Sequence, residues 1–96
     1  MDGPMTLRVQ TPNGAAAETA CDSVVLLLRD GADGKGGGFL GVQRDHAPAA
    51  LALADGPVRA SLGGKDVLRL RVGGGFAAVR DNVVTVLTDR VTEESE

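Results

Sequence analysis

The chain of 96 residues contains no tryptophan, no tyrosine and no isoleucine, and its only aromatic side chains are Phe39 and Phe76. Two aromatics cannot build the stacking platforms on which single-stranded nucleic acids are held. The formal net charge of −3 speaks against a general phosphate-backbone binder. One cysteine, Cys21, cannot close an internal disulfide, and one histidine, His46, cannot supply a His-rich zinc site. The longest apolar runs, residues 24–28 and 49–54, fall far short of the roughly 18–20 residues that span a bilayer. Met1-Asp2-Gly3-Pro4 has neither the basic region nor the apolar core of a secretion signal. A soluble cytoplasmic protein of one domain is the expectation.

Hydrophobic residues make up 43% and charged residues 24%, which is ordinary for a globular domain and excludes global disorder. The apolar content is alanine, valine and leucine, in short runs between 14 glycines. That pattern favours strands and turns over long helices. Residues 5–10 alternate, with Met5, Leu7 and Val9 to one side, as in a half-buried strand. Thr11-Pro12-Asn13-Gly14 reads as a turn, and the alanine-rich residues 15–20 read as an edge-like strand. Residues 23–28 read as a strand covered on both faces. A glycine-rich loop follows, with Gly31, Gly34, Gly36, Gly37 and Gly38, then a strand over 39–43.

Residues 49–54 and 57–62 read as two strands separated by Asp55-Gly56. Gly63-Gly64-Lys65-Asp66 reads as a hairpin turn. Residues 67–72 continue with Leu68, Leu70 and Val72 inward and Arg69 and Arg71 outward. Gly73-Gly74-Gly75 interrupts the pattern before strands at 76–79 and 83–87, which Arg80-Asp81-Asn82 joins with Asn82 at positive φ. Residues 92–96 read as a frayed acidic tail. Short strands with turn signals every 8–12 residues predict an all-β fold, an antiparallel sandwich or barrel.

Chemistry is sparse. Gly36-Gly37-Gly38-Phe39-Leu40-Gly41 satisfies G-x-G-x-x-G, but no helix pattern follows it, so the dinucleotide reading fails on context. Lys35 and Lys65 lack the phosphate-loop frame, and Ser23, Ser61 and Ser95 lack a nucleophile elbow. Asp45 and His46 are neighbours in sequence, which defines no dyad, and a lone histidine beside a turn is more often a structural hydrogen-bonder. Asp30 and Asp33 read as solvated. Asp22 beside Cys21 raises its thiol pKa, so an inert buried thiol is expected. No catalytic residue, cofactor or metal site is predicted.

Three segments carry a resemblance. They are Leu7-Arg8-Val9-Gln10-Thr11-Pro12-Asn13-Gly14 with Asp22-Ser23-Val24-Val25-Leu26; Gly38-Phe39-Leu40-Gly41-Val42-Gln43-Arg44-Asp45-His46-Ala47-Pro48; and Gly74-Gly75-Phe76-Ala77-Ala78-Val79-Arg80-Asp81-Asn82-Val83-Val84-Thr85-Val86-Leu87-Thr88-Asp89. In this order and spacing the chain resembles the epsilon subunit of rotary ATP synthases, over residues 5–91. Residues 1–4 are then an extension and 92–96 an acidic tail.

The resemblance implies a flattened sandwich of two antiparallel sheets with about eight to ten short strands. It implies a non-catalytic central-stalk subunit that docks on the gamma subunit and on the membrane rotor ring, coupling ion flow to ATP chemistry at the membrane periphery. Gly38, Phe39, Leu40 and Gly41 match the loop that approaches the ring. Thr11, His46 and Leu51 match positions near the gamma-facing surface, although Leu51 also reads as core.

Phe39 departs from the family, which often has an acid there, and so implies an apolar anchor. Residues 31–37 lengthen the preceding loop by roughly seven residues, a small closure cost. Most family members continue into a two-helix hairpin that carries inhibition and, in some bacteria, ATP binding. Residues after 91 show no helical periodicity, so no self-inhibitory arm and no nucleotide binding are expected. Two alternatives differ in class. One is a free-standing β-sandwich adaptor for another protein; the other is a small enzyme or biotinyl-like carrier modified at Lys65, whose flanks lack the required methionine.

Overall fold

The computed structural model describes residues 4–29 and 38–93. It contains eight strands and, among the described residues, no helix: β1 (Met5–Thr11), β2 (Gly14–Cys21), β3 (Ser23–Leu28), β4 (Gly38–Gln43), β5 (Ala49–Leu62), β6 (Lys65–Arg80), β7 (Val83–Leu87) and β8 (Val91–Glu93). The order across the sheet is β2-β1-β7-β6-β5-β3-β4, with β8 also paired to β6. All ladders are antiparallel except that between β1 and β7, which run parallel, Thr6 opposite Val83 and Gln10 opposite Leu87.

The long β5–β6 hairpin belongs to both layers of the sandwich. Its outer half, from Gly56 to Leu62 and from Lys65 to Val72, lies between β3 and β8. Its other half, from Ala49 to Leu53 and from Gly75 to Arg80, continues into β7, β1 and β2. Between these halves both strands change the parity of the side chains they bury. Leu53 gives way to Val58 and Ala60 on β5, and Val72 to Ala77 and Val79 on β6. Gly73-Gly74-Gly75 lies at this point, with φ of 75° at Gly74 and 118° at Gly75. Local coiling of this kind carries a ladder from one layer to the other without breaking it.

Asp55-Gly56 and the triple glycine therefore mark a coil inside two long strands, where the sequence reading places strand ends. Gly63 and Gly64, both at positive φ, make the two-residue hairpin turn, and Lys65 and Asp66 already belong to β6. At the next hairpin Asp81 (φ 53°) and Asn82 (φ 63°) are both left-handed, a conformation open to short polar side chains. Residues 91–93 pair with Leu70–Val72, so this edge strand occupies the start of the segment read as a frayed tail. The lengthened loop at 31–37 and residues 94–96 lie outside the described residues.

The core is one cluster. Met5, Leu7 and Val9 of β1 meet Val24, Leu26 and Leu28 of β3, Val42 of β4, Val58 and Ala60 of β5, Leu70 and Val72 of β6, and Val84 and Val86 of β7. The expectation that β3 is covered on both faces is corrected: Val24, Leu26 and Leu28 are buried, whereas Val25 is exposed and Leu27 half-buried. An antiparallel ladder with one face in water alternates in this way. Neither phenylalanine is in the core, which is built from valine, leucine, alanine, Met5 and Cys21.

Candidate functional site

The residues singled out by sequence fall into three places. Gly38, Phe39, Leu40 and Gly41 open β4, the strand at the end of the β3 layer. Alternation turns Leu40 toward the core, where it is half-buried, and turns Phe39 and Gly41 outward. Phe39 is 65% exposed, the most exposed large hydrophobic side chain among the described residues. Gly38 takes a φ of 117°, which an L side chain resists.

Thr11 ends β1 and holds its turn together: its hydroxyl accepts from the Asn13 N–H at 3.2 Å and donates to the Gly14 carbonyl at 3.1 Å. Leu51 turns inward opposite Ala77 and packs half-buried against the core.

His46 is half-buried in the β4–β5 loop. Its backbone N–H donates to Gln43 at 3.2 Å, and its Nδ1 lies 2.7 Å from the Ala47 carbonyl. A carbonyl only accepts, so Nδ1 carries the proton in that contact. The adjacent Asp45, at φ 64°, is tied to the β6–β7 turn. Its N–H donates to Asn82 Oδ1 at 2.6 Å, while Asn82 Nδ2 donates to Asp45 Oδ1 at 3.3 Å. Asn82 also offers its carbonyl to the Thr6 N–H. His46 therefore stands at the Thr6 end of β1 and Thr11 at the other end, about 17 Å away at the rise of a strand. These residues do not converge on one spot.

Sequence reasoning missed a second exposed apolar row. On the outer face of the β7 layer, Leu87 pairs with Phe76, which pairs with Ala52. Phe76 is 58% and Leu87 50% exposed. With Gln10, Thr11, Pro12, Gly75 and Thr88 they line a cleft of about 440 Å³. Continuing the alternation from buried Ala77 and Val79 already turns Phe76 outward, so the signal was present. Asp89 also lines the cleft; farther along the face Thr85, Ala78 and Ala50 form the rung beside the Arg8–Glu18 pair at 3.3 Å, and exposed Arg80 ends it.

Cys21 is fully buried at the end of β2. Burial pushes its thiol pKa up first, the nearby Asp22 carboxylate adds to this, and contacts with the Leu7 and Ser23 backbone partly oppose it. The native state thus prefers the neutral thiol. Stability from this group is complete below the ordinary value of 9.0 and is lost as pH rises from there through the raised native pKa. The chain has no tyrosine to titrate in the same window. Urea melts from pH 8 to 10.5 are expected to show an alkaline loss of stability that is reduced in Cys21→Ala.

Among the described residues no three His, Cys, Asp or Glu side chains converge as a metal set, and no helix is long and apolar enough to cross a membrane.

Residues 4–94 match the family of the ATP synthase delta/epsilon chain beta-sandwich domain. The ATP synthase epsilon chain of Desulfitobacterium hafniense is 36% identical over 89 residues, covering 93% of this chain and 61% of that protein. The ATP synthase epsilon chain of a Synechococcus strain is 35% identical over 86 residues, covering 90% and 57%. This chain thus spans about three fifths of the length of these curated relatives. A chain in the cryo-EM structure of the Euglena gracilis mitochondrial ATP synthase (OSCP/F1/c-ring) superposes with a TM-score of 0.74 at 22% identity, over 97% of this chain and 55% of that one. A chain in the Tetrahymena thermophila mitochondrial ATP synthase central stalk and c-ring superposes with a TM-score of 0.68 at 16% identity, over 94% and 66%. Both share the sandwich fold. The chain belongs to the ATP synthase delta/epsilon chain beta-sandwich domain family.

Proposed function

We propose that this chain is a non-catalytic central-stalk subunit of a rotary ATP synthase. It docks on the gamma subunit and on the membrane rotor ring, and it keeps ion translocation coupled to ATP synthesis or hydrolysis. It reaches the cytoplasmic face of the membrane only through that complex.

The observation that carries the reading is the Phe76–Leu87 row, left in water by a family domain whose core is otherwise closed. Thr11, matched by resemblance to the gamma-facing surface, lines the same cleft. Fully burying a side chain of this size is worth about 1.5–3 kcal/mol relative to leaving it exposed, so covering two half-exposed ones gives a partner a substantial anchor. Leu51 supports this layer from within, through the rung it shares with Ala77. His46 and Asn82 hold the loops at the far end.

Phe76→Asp places a charge at the centre of the proposed contact without touching the core. It is expected to weaken capture of gamma by at least tenfold while leaving the thermal midpoint of the isolated chain within a few degrees. Capture of gamma at wild-type strength by the folded variant would remove this face from the interface.

A further inference from the structure

The turn between β1 and β2 carries the dipeptide Asn13-Gly14, and residues 12–16 are exposed. Thr11 Oγ1 holds this turn through the Asn13 N–H at 3.2 Å and the Gly14 carbonyl at 3.1 Å. The Asn13 carboxamide takes no part, and it has no hydrogen-bond partner among the described residues. Gly14 has no side chain to shield its nitrogen, and even a Cβ there would meet nothing within 4 Å. One restraint remains, the Thr11–Gly14 pair that closes the ladder. It is the last pair of an edge hairpin, beyond a register shift between Val9 and Gln10. Ladder ends of this kind open at little cost.

The chain's other asparagine, Asn82, has the opposite arrangement. Its Oδ1 accepts from the Asp45 N–H at 2.6 Å and its Nδ2 donates to Asp45 Oδ1 at 3.3 Å. Both ends of that carboxamide are therefore held. The residue that follows is Val83, whose branched, stiff side chain crowds its own backbone nitrogen.

We propose that Asn13-Gly14 is a site of spontaneous covalent modification, at which Asn13 is converted to aspartyl and isoaspartyl residues. The Gly14 backbone nitrogen loses its proton to base and bonds to Asn13 Cγ. The Cγ–Nδ2 bond breaks, Nδ2 leaves as ammonia, and a five-membered succinimide closes. Water then opens the ring. Cleavage at Cγ gives aspartate. Cleavage at the main-chain carbonyl carbon of residue 13 gives isoaspartate, whose main chain runs through the former side chain and is one methylene longer. The sum is one water consumed and one ammonia released, with no oxidant or reductant. Either product carries a new carboxylate beside Pro12, which lines the same cleft as Asp89, on a chain already at −3. The isoaspartyl form also displaces the Thr11 hydrogen bonds that set the turn. The modified chain therefore captures gamma less well. That effect rests on the stalk reading above; the modification itself does not.

The test incubates the full chain warm at mildly alkaline pH, native and in urea, and maps both asparagines by mass spectrometry. In the native chain Asn13 is expected to convert about tenfold or more faster than Asn82, because only its carboxamide is loose. Isoaspartate, read with an isoaspartyl methyltransferase, is the larger product. Asn13→Gln, which would have to close a six-membered ring, stays intact at residue 13 over the same time. Conversion of Asn13 in urea but not in the native chain overturns the proposal, and so does aspartate formed without isoaspartate. Ion exchange then separates the aged, more acidic fraction, and its capture of gamma is compared with that of unaged chain and of Asn13→Gln. Weaker capture by the aged fraction alone is the expected result. Equal capture by all three overturns the effect on the complex and leaves the modification site standing. Failure of the unaged wild type to capture gamma overturns the stalk reading alone.

Discussion

Gly75→Ala is expected to destabilise the domain by about 3 kcal/mol or more, through two effects with separate causes. A Cβ at residue 75 would stand 2.1 Å from the Leu87 carbonyl oxygen and 3.1 Å from the Thr88 Cα. Those are backbone atoms of the neighbouring strand and its exit, and they cannot rotate away as a side chain end can. Overpacking of this kind costs about 1–3 kcal/mol. The φ of 118° adds left-handed backbone strain of roughly 1–2 kcal/mol. A domain of this size has about 5–15 kcal/mol of stability in all. Relief of the clash would push β7 away from β6 where the Phe76–Leu87 row is built, so capture of gamma falls as well. Gly41→Ala is the matched control: its φ is not positive and a Cβ there meets nothing within 4 Å. A change within about 0.5 kcal/mol is expected. Urea denaturation of both variants checks the pair, and equal stabilities would contradict the close strand approach.

Leu26→Ala is expected to cost about 3–5 kcal/mol, the upper part of the usual range for such a truncation. Leu26 is fully buried at the middle of a rung that runs Leu40–Leu26–Val58–Leu70. The cost of a cavity depends on how far its walls can collapse. Valines form much of these walls, and they are stiff at χ1. No aromatic ring is present in the core to tilt into the space. The lost methyl groups are therefore replaced by a void rather than by neighbours. Leu27→Ala, one residue along on the half-buried outer side, should cost clearly less. Equal losses at the two positions in thermal or urea unfolding would contradict the assignment of the buried face.

Most strands were legible because their alternation is strict. Met5, Leu7 and Val9, then Leu68, Leu70 and Val72, mark the buried face before any fold is known, and the structure buries or half-buries each of them. The long β5 and β6 were not legible as single strands. Glycine and proline usually punctuate turns, but here Asp55-Gly56-Pro57 and Gly73-Gly74-Gly75 meet at the Asp55–Gly73 pair and the ladder runs on to either side of it. Each change of buried parity makes sense only beside the other. The three-residue β8 exists through its pairing with β6 and carries no pattern of its own.

The surfaces were legible in part. An outward Phe39 follows from its place in the glycine-rich segment, and Arg69 and Arg71 read as outward from alternation. The opposition of Arg59 to Arg69 requires the β5–β6 register, including its shift between Ala60 and Ser61. The joining of Leu87 to Phe76 requires the β6–β7 pairing. Thr11 and His46 looked like members of one surface, yet they cap opposite ends of the β1–β7 pair.

The most direct test of the account is assembly with gamma. The chain is tagged, expressed with the gamma subunit from the same genome, and purified through the tag and by size. The account predicts a one-to-one complex that elutes as a single species and survives dilution. A folded chain that elutes alone, with gamma in a separate fraction, would contradict the stalk function and leave a β-sandwich whose exposed rows serve some other protein.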